Sequence, residues 1–583
     1  MNDSIVKKLF KSTLVVQILA AVMAVLGMVL NNAITGIFLG NASFVALGFA
    51  QPIALVFSGT ASVFSMGISV LCGKTIGSGN KDETNRVFSQ CVFFALVVGI
   101  AITAVVFLGA QPVAALLGSS GEYLPETAAY LRGVAPCSIA IILVVGLLPI
   151  MQIDGDRSRA VKAVVAATVV NVALSLANGL VLRWGLFGMA VALTLGYFTG
   201  AAVILLHFRG NKGMFRLKLA GMSLGVISEM LSYGLPNGLQ QICRSVLGIC
   251  MNLIIKSVAD PSMVGVLTAI NTAALLCMAF GTGIGQSTSV IVSVLAGEKD
   301  VESMKLLLKN SLRTAVTIDA VLSVVMFVVA PFLMRIFLRK NPDLLDTATL
   351  GFRLYCLSIV VYAINVTIRS YYQAMHLTRL TYPYVLLDNL LGTAVSAFVL
   401  SRFLGTTGVW LSFLAGEAIT LAVFLLIAML NPRGSSFLDK IMRVPEGFTQ
   451  GIRALAAWSC AGTADVKAAA EGIREFCGKN GGSERVRVLL PLAAEEMCMN
   501  IVQYGFADNK SHSIDVKAMR LDEGWLLRIR DDCDLFDPVH YLESQNDADP
   551  YAHMGIRMID ELSCRMEYVS TLKMNNLLIE IAE

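Results

Sequence analysis

Three short stretches toward the C-terminal end of the chain carry residue types whose spacing could do chemistry. In E-E-M-C-M-N-I-V-Q-Y-G-F, Glu495–Phe506, the residues Glu496 and Asn500 are four apart and so share one helix face. A carboxylate and an amide placed this way suit a general base and a magnesium ligand. On spacing alone, the solvated face of an amphipathic helix explains the pair better. I-R-D-D-C-D-L-F-D-P, Ile529–Pro538, is an acidic turn that closes a strand. H-M-G-I-R-M-I, His553–Ile559, puts a glycine at the opening of a helix, where backbone N–H groups can seat a phosphate.

A second set of candidates consists of polar and ionisable residues inside long apolar runs. A charge in a bilayer is expensive, so it is a functional candidate by default. Glu417 lies near the middle of the last run; a role in ion coupling is weighed there against a buried pair with Arg244 or Arg369. Asp319 and Asp388 lie nearer the ends of their runs, where snorkelling to the interface is at least as good an explanation. Arg244 stands beside Gln240 and Gln241. Asn171, Asn252, Asn365 and Gln286 are expected either to line a cavity or to bond one helix to another.

The elements that must hold these residues follow from composition. The chain has 583 residues, 56% hydrophobic and 15% charged. Splitting it at Pro432 leaves about 41 charges in the last 151 or so residues, roughly 27%, an ordinary soluble density. The preceding 432 or so residues hold only about 45, roughly 10%, too few for a soluble surface. A single soluble enzyme and a disordered chain are both excluded. Residues 1–432 form a membrane domain, 433–448 an amphipathic connector on the membrane surface, and 449–583 a soluble domain. The twelve cysteines are scattered with no C-x-x-C pair and read as small buried hydrophobes; the five histidines show no metal-ligand spacing.

Twelve apolar runs are long enough to span a bilayer: about 13–38, 44–72, 88–110, 133–152, 160–182, 187–208, 232–256, 264–292, 311–336, 350–373, 382–402 and 407–430. Basic residues concentrate in alternate loops, from Lys7/Lys8/Lys11 and Lys74/Lys81/Arg86 through Arg157/Arg159/Lys162 to Arg433/Lys440/Arg443. By the positive-inside rule both termini are cytoplasmic. The halves, about 10–208 and 230–430, resemble one another. G-N-K-D-E at Gly79–Glu83 parallels G-E-K-D-V at Gly297–Val301, and the turn Gly185–Gly188 parallels Gly405–Gly408. Such a repeat, offset by about 220 residues, implies two six-helix bundles related by a pseudo-two-fold axis, a transporter signature. No G-x-x-x-x-G-K-[ST] loop occurs, which disfavours an ATP-driven pump. In the last 135 or so residues, helices at Val466–Phe476, Val486–Phe506 and Met554–Met566 and strands at Ser513–Met519, Trp525–Ile529, Arg565–Val569 and Leu577–Ile581 predict an α/β sandwich.

The membrane half resembles the multidrug and toxic compound extrusion (MATE) transporters. The residues that carry this are N-N-A-I-T-G-I-F-L-G at Asn31–Gly40, V-L-C-G-K-T-I-G-S-G-N-K-D at Val70–Asp82, G-D-R-S-R at Gly155–Arg159 and N-V-A-L at Asn171–Leu174. The resemblance implies export of small organic, often cationic, compounds across the cell membrane in exchange for Na+ or H+. Asn31 stands where members commonly carry an acid, and an amide has no proton to give at neutral pH. The tail resembles the GHKL ATP-binding fold, most closely the anti-sigma-factor serine kinases. That resemblance implies ATP and Mg2+ as cofactors, with Glu496 as base, Asn500 on magnesium, Asp531 on the adenine amino group, and Phe536 and Gly555 in the second and third boxes. Cys533 and His553 replace glycines of those boxes.

Together these readings predict a cation-coupled exporter with a regulatory nucleotide-binding tail that has a cytoplasmic protein target. Two alternatives stand beside it: a membrane sensor whose tail is a serine kinase, and a lipid-linked saccharide flippase. A basic cavity would mark the flippase; a neutral or acidic one suits cationic compounds. No nucleic-acid partner is expected.

Overall fold

The computed structural model describes residues 3–77, 81–153, 157–209, 215–216, 223–297, 299–339, 342–375, 377–431, 434, 436–506, 512–544, 554–568 and 574–583. It divides into two compact units. One comprises Gln17–Gln286 and Leu312–Leu430; the other comprises Met1–Val16, Ser287–Ser311 and Asn431–Glu583.

The larger unit is all helical, and three of the helices named next, Asp3–Phe38, Met263–Gly297 and Val301–Phe337, have one end in the smaller unit. The first half holds α1 (Asp3–Phe38), α2 (Asn41–Gly77), α3 (Lys81–Leu108), α4 (Ala110–Leu116), α5 (Tyr123–Val134), α6 (Cys137–Ile153), α7 (Arg157–Ala177) and α8 (Gly185–Arg209). The second holds α9 (Leu224–Val258), α10 (Met263–Gly297), α11 (Val301–Phe337), α12 (Leu345–Cys356), α13 (Ile359–Ala374), α14 (Thr378–Leu386) and α15 (Gly392–Met429). In hydrocarbon every backbone N–H and C=O must find a partner within its own segment, so uniformly apolar runs become helices. The outer surface is apolar: α11 exposes Val321, Val324, Val328 and Phe332 at helical spacing. In water such a stripe would be a liability; against lipid it costs nothing.

Among the described residues, eight helices are long and apolar enough to cross a membrane, or ten when each of two bent pairs counts as one span. Two features bring the sequence expectation of twelve down to this number. The last two expected runs fall within one continuous stretch, Thr378–Met429, broken inside α15 at Gly405 (φ 58°, ψ −135°). Among the described residues of the first helix, the apolar stretch that counts is the shorter Val25–Phe38, which lies within the expected run 13–38.

The repeat is visible in the backbone. A 47° bend joins Tyr123–Val134 to Cys137–Leu148, and a 43° bend joins Pro342–Cys356 to Ile359–Ala374, at matching places in the two halves. Gly185 and Gly405, paired by the sequence repeat, have φ of 61° and 58°. Each marks the point where the chain enters the last helical stretch of its half. Nothing lies within 4 Å of a Cβ built at Gly405, so Gly405→Ala tests backbone strain alone. It is expected to destabilise the detergent-solubilised protein by about 1–3 kcal/mol, read as a lowered thermal midpoint.

The smaller unit contains a five-stranded sheet. After α16 (Phe437–Met442) come β1 (Ile452–Cys460), α17 (Thr463–Lys479), α18 (Glu484–Asn500), β2 (Ile514–Leu521), β3 (Gly524–Asp531), α19 (Pro538–Ser544), α20 (Met554–Leu562), β4 (Arg565–Tyr568) and β5 (Asn575–Ile581). The strand order is β1-β2-β3-β5-β4, antiparallel throughout. Alternation sends Ile514, Val516, Ala518, Leu527 and Ile529 into a core shared with Val466 and Ile473 of α17, Leu490 and Met497 of α18, and Ile556 and Ile559 of α20. The architecture is the α/β sandwich the patterning predicted.

Several details differ from the sequence reading. β1 had no alternating signal, because Ala454, Ala456 and Ala457 are poor strand formers; pairing along β2 recruits it. The helix expected over 486–506 is α-helical only to Asn500, and Ile501–Gly505 is π-helical. The helix expected to reach Met566 ends at Leu562, since Arg565–Tyr568 pairs with β5. The connector is a six-residue helix capped by Ser436 and Asp439. Its Ile441 and Met442 are buried, whereas Phe437 at its start is half exposed. Ten of the twelve cysteines are buried, and none pairs.

Candidate functional site

The larger unit encloses a cavity of about 200 Å³. From the first half, α1 and α2 line it with Met28, Gly48, Gln51, Pro52 and Leu55, all uncharged. The ionisable lining comes from the second half: Arg244 on α9, Asp388 in the π-helical turn Leu387–Leu391, and Glu417 on α15. Tyr355, Tyr362, Asn252, Asn271 and Asn389 add to the polar surface, with Thr268, Ser358 and Thr393.

Each of these charges is held by a neighbour. The Glu417 carboxylate accepts from Asn365 Nδ2 at 2.7 Å, and the same amide donates to the Glu417 backbone carbonyl at 3.0 Å. Asn365 Oδ1 in turn accepts from Tyr384 Oη at 2.8 Å, which fixes the amide orientation. Asp388 forms a buried ion pair with Arg369. Arg244 donates through Nε to Asn389 Oδ1 at 2.9 Å and lies 3.4 Å from Tyr362 Oη. Of the partners the sequence suggested for Glu417, Arg369 went to Asp388 and Arg244 to Asn389; Asn365 took the role instead. The expected snorkelling of Asp388 does not occur, because its pairing cation is inside the bundle. Asp319 does not snorkel either. It is fully buried, and its carboxylate oxygens have no hydrogen-bond partner among the described residues.

The remaining candidates divide. Asn252 lines the cavity and donates to Leu117 O at 3.4 Å. Asn31 and Asn171 lie in the first half, with the Ser175 hydroxyl between them, 2.9 Å from Asn31 Oδ1 and 3.3 Å from Asn171 Oδ1. This network is buried and uncharged. Gln286 is exposed and is not among the residues that line this cavity. The pairing of Arg369 and the clamp from Tyr384 were missed as site features; an arginine and a tyrosine within apolar runs were the available signals.

In the smaller unit, Glu496 sits half-buried on α18, with Asn500 one turn on as its last residue. Gly555, second residue of α20, packs so closely on Glu496 that a Cβ there would overlap the carboxylate. Asp531 ends β3 and is buried. It accepts from Asn575 Nδ2 at 2.8 Å and from the Cys533 N–H at 3.0 Å. Burial pushes its carboxyl upward from the ordinary value, only partly offset by these donors. Asn575 Oδ1 also accepts from the Phe536 N–H at 3.0 Å and from Tyr568 Oη at 2.6 Å. This amide therefore ties the acidic turn to β4 and β5. It was not singled out from sequence, although a polar Asn575–Asn576 pair opening an apolar strand was a visible cue. His553 lies outside the described residues. Tertiary structure also gathers His512, Asp532 and Cys533, whose ligand atoms lie within 4.8 Å of one another. Asp532 is already engaged by Lys8 and by the Ser513 N–H.

A twice-repeated, bent helical bundle around a polar cavity defines a multi-pass membrane transporter, and the sheet with three helices on one face is an α/β ATPase-type domain. The chain belongs to the MatE family, which matches residues 15–177 and again 236–399, two segments starting about 220 residues apart. A second family, described as Histidine kinase-like ATPase domain, matches residues 461–580.

The chain is 23% identical over 407 residues to the uncharacterized transporter YisQ of Bacillus subtilis (strain 168), covering 65% of this chain and 87% of that one. It is 22% identical over 424 residues to the multidrug export protein MepA of Staphylococcus saprophyticus, covering 71% and 92%. Among solved structures, an inward-facing multidrug resistance MATE family transporter matches with a TM-score of 0.66 at 19% identity, over 73% of this chain and 95% of that one. A MOP superfamily transporter from Pyrococcus furiosus, described as having a binding pocket of reverse polarity, matches with a TM-score of 0.61 at 19% identity, over 76% and 97%.

Proposed function

We propose that this protein exports small organic, cationic compounds across the cell membrane in exchange for Na+ or H+, with both termini cytoplasmic, and that its tail binds ATP and regulates transport. The observation that carries the reading is the cavity wall, where Glu417 and Asp388 meet one lining arginine, Arg244, with Arg369 paired behind Asp388, so that the wall holds no basic excess. A lipid-linked pyrophosphate would call for an excess of basic residues, so the flippase reading is not favoured. Relatives named for multidrug export support the same direction.

The tail residues fit a nucleotide with magnesium. Glu496 and Asn500 present hard oxygen atoms one turn apart, Asp531 offers a buried acceptor suited to an amino group, and Gly555 leaves no side chain where α20 opens against Glu496. A cytoplasmic protein target is proposed on the same likeness to kinase-type domains.

Reconstitution into proteoliposomes tests the whole reading. Efflux of a cationic dye such as ethidium is expected under an imposed sodium or proton gradient without ATP, and its rate is expected to change when Mg-ATP is supplied on the tail side. Transport that requires ATP but no ion gradient would be incompatible with it.

A further inference from the structure

The tail sheet buries both faces. Its apolar face packs on the helices. On the other face, Asp515 and Lys517 of β2 and Arg528 and Arg530 of β3 are all at least nine-tenths buried, although a charged strand face is ordinarily solvated. Residues Ser287–Ser311, the end of α10 and the start of α11, belong to the same compact unit as this sheet. Asp300, between the two helices, is 3% exposed and receives both the Lys517 ammonium and Arg528 Nη2, the latter at 3.0 Å. Lys517 also lies 3.3 Å from Ser303 Oγ. At the rim, Lys299 Nζ donates to Gln450 O at 2.9 Å and Lys305 pairs with Asp439 at 2.6 Å. Burial alone would raise the Asp300 pKa, but the two cations outweigh it and hold the carboxyl well below the usual carboxylate range. Asp300 is therefore ionised at neutral pH, and removing it takes away the carboxylate that the buried Lys517 and Arg528 share.

This clamp has two physical continuations. Along β3, Arg528 is three residues from Asp531, the buried acid of the nucleotide-type site. Along α10, one unbroken helix runs from Gly297, three residues before Asp300, back to Asn271 and Thr268, which line the transport cavity. We propose that the charged sheet face is a coupling surface whose partner is the α10–α11 junction, so that nucleotide in the tail and cation in the cavity change each other's affinity. The proposal rests on the nucleotide reading of the tail.

Linkage makes the coupling reciprocal, which supplies the test. The affinity of the full-length protein for Mg-ATP is measured with and without saturating ethidium, and that for ethidium with and without Mg-ATP. Wild type is expected to show equal shifts in both directions, of roughly fivefold or more. Asp300→Asn is expected to bind both ligands and lose the shift. The paired Asp300→Leu/Lys517→Met variant removes the buried ammonium together with the carboxylate it meets, limits the displaced charge to Arg528, which still has Asp515 nearby, and is expected to behave the same way. Two bound ligands with no mutual shift in wild type, or a shift retained in the paired variant, overturn the proposal. Ethidium binding without any Mg-ATP binding would instead remove the nucleotide reading, and the proposal with it.

Discussion

Glu417→Gln is expected to reduce gradient-driven efflux of ethidium at least about tenfold in everted vesicles, with unchanged expression and an unchanged elution profile in detergent. Glutamine keeps the size of the side chain, and its carbonyl can still accept from Asn365 Nδ2, now 2.7 Å from the carboxylate. What is removed is the ionisable carboxyl, and with it the ability to hold a cation or exchange a proton. Interactions with a charged group contribute about 1.5–3 kcal/mol, which corresponds to roughly tenfold to hundredfold in affinity. Glu417 is a cleaner probe than Asp388, because removing the latter's charge strands the buried Arg369 guanidinium. Breaking such a pair costs about 3–5 kcal/mol and would mix a folding defect with a transport defect. Efflux by Glu417→Gln at the wild-type rate would remove this residue from the coupling path.

Asp531→Asn is expected to weaken Mg-ATP binding by the full-length protein about tenfold or more, measured by titration calorimetry in detergent. The carboxylate ends β3 held by Asn575 Nδ2 and the Cys533 N–H, with one position left to accept from a ligand amino group. The amide is isosteric, but it replaces one acceptor oxygen with a donor NH2. Either the ligand or Asn575 then meets a donor where it needs an acceptor, and an unmatched buried polar group costs about 1–3 kcal/mol. Gradient-driven efflux without ATP is expected to persist in this variant. Equal nucleotide affinity in wild type and Asp531→Asn would place the site elsewhere or nowhere in the tail.

Much of this protein was legible in one dimension because its physics is periodic. The contrast between a charge-poor and a charge-rich portion separated bilayer from water before any element was placed. The repeat could be read because Gly185 and Gly405 do a backbone task that few other residues perform, and both adopt positive φ. Alternation on either side of the D-E-G sequence Asp522–Gly524 predicted strands at 513–519 and 525–529, and the observed pair is 514–521 and 524–531, with Gly524 at φ 148°. Spacing also placed Glu496 and Asn500 on one helical turn.

Partner choice was not periodic and was not legible. The sequence offered two arginines for Glu417; packing gave one to Asp388 and the other to Asn389, and assigned an asparagine to the acid. Nothing in the alternation of β2 and β3 showed that a loop more than two hundred residues away covers their charged face and supplies Asp300 as counter-ion. Composition and periodicity determine what each segment must avoid, water or lipid, since that is a sum over its own residues. Which charge meets which is decided by the three-dimensional meeting of distant segments, because a buried ion is stabilised only at hydrogen-bond distance and no spacing along the chain encodes that distance.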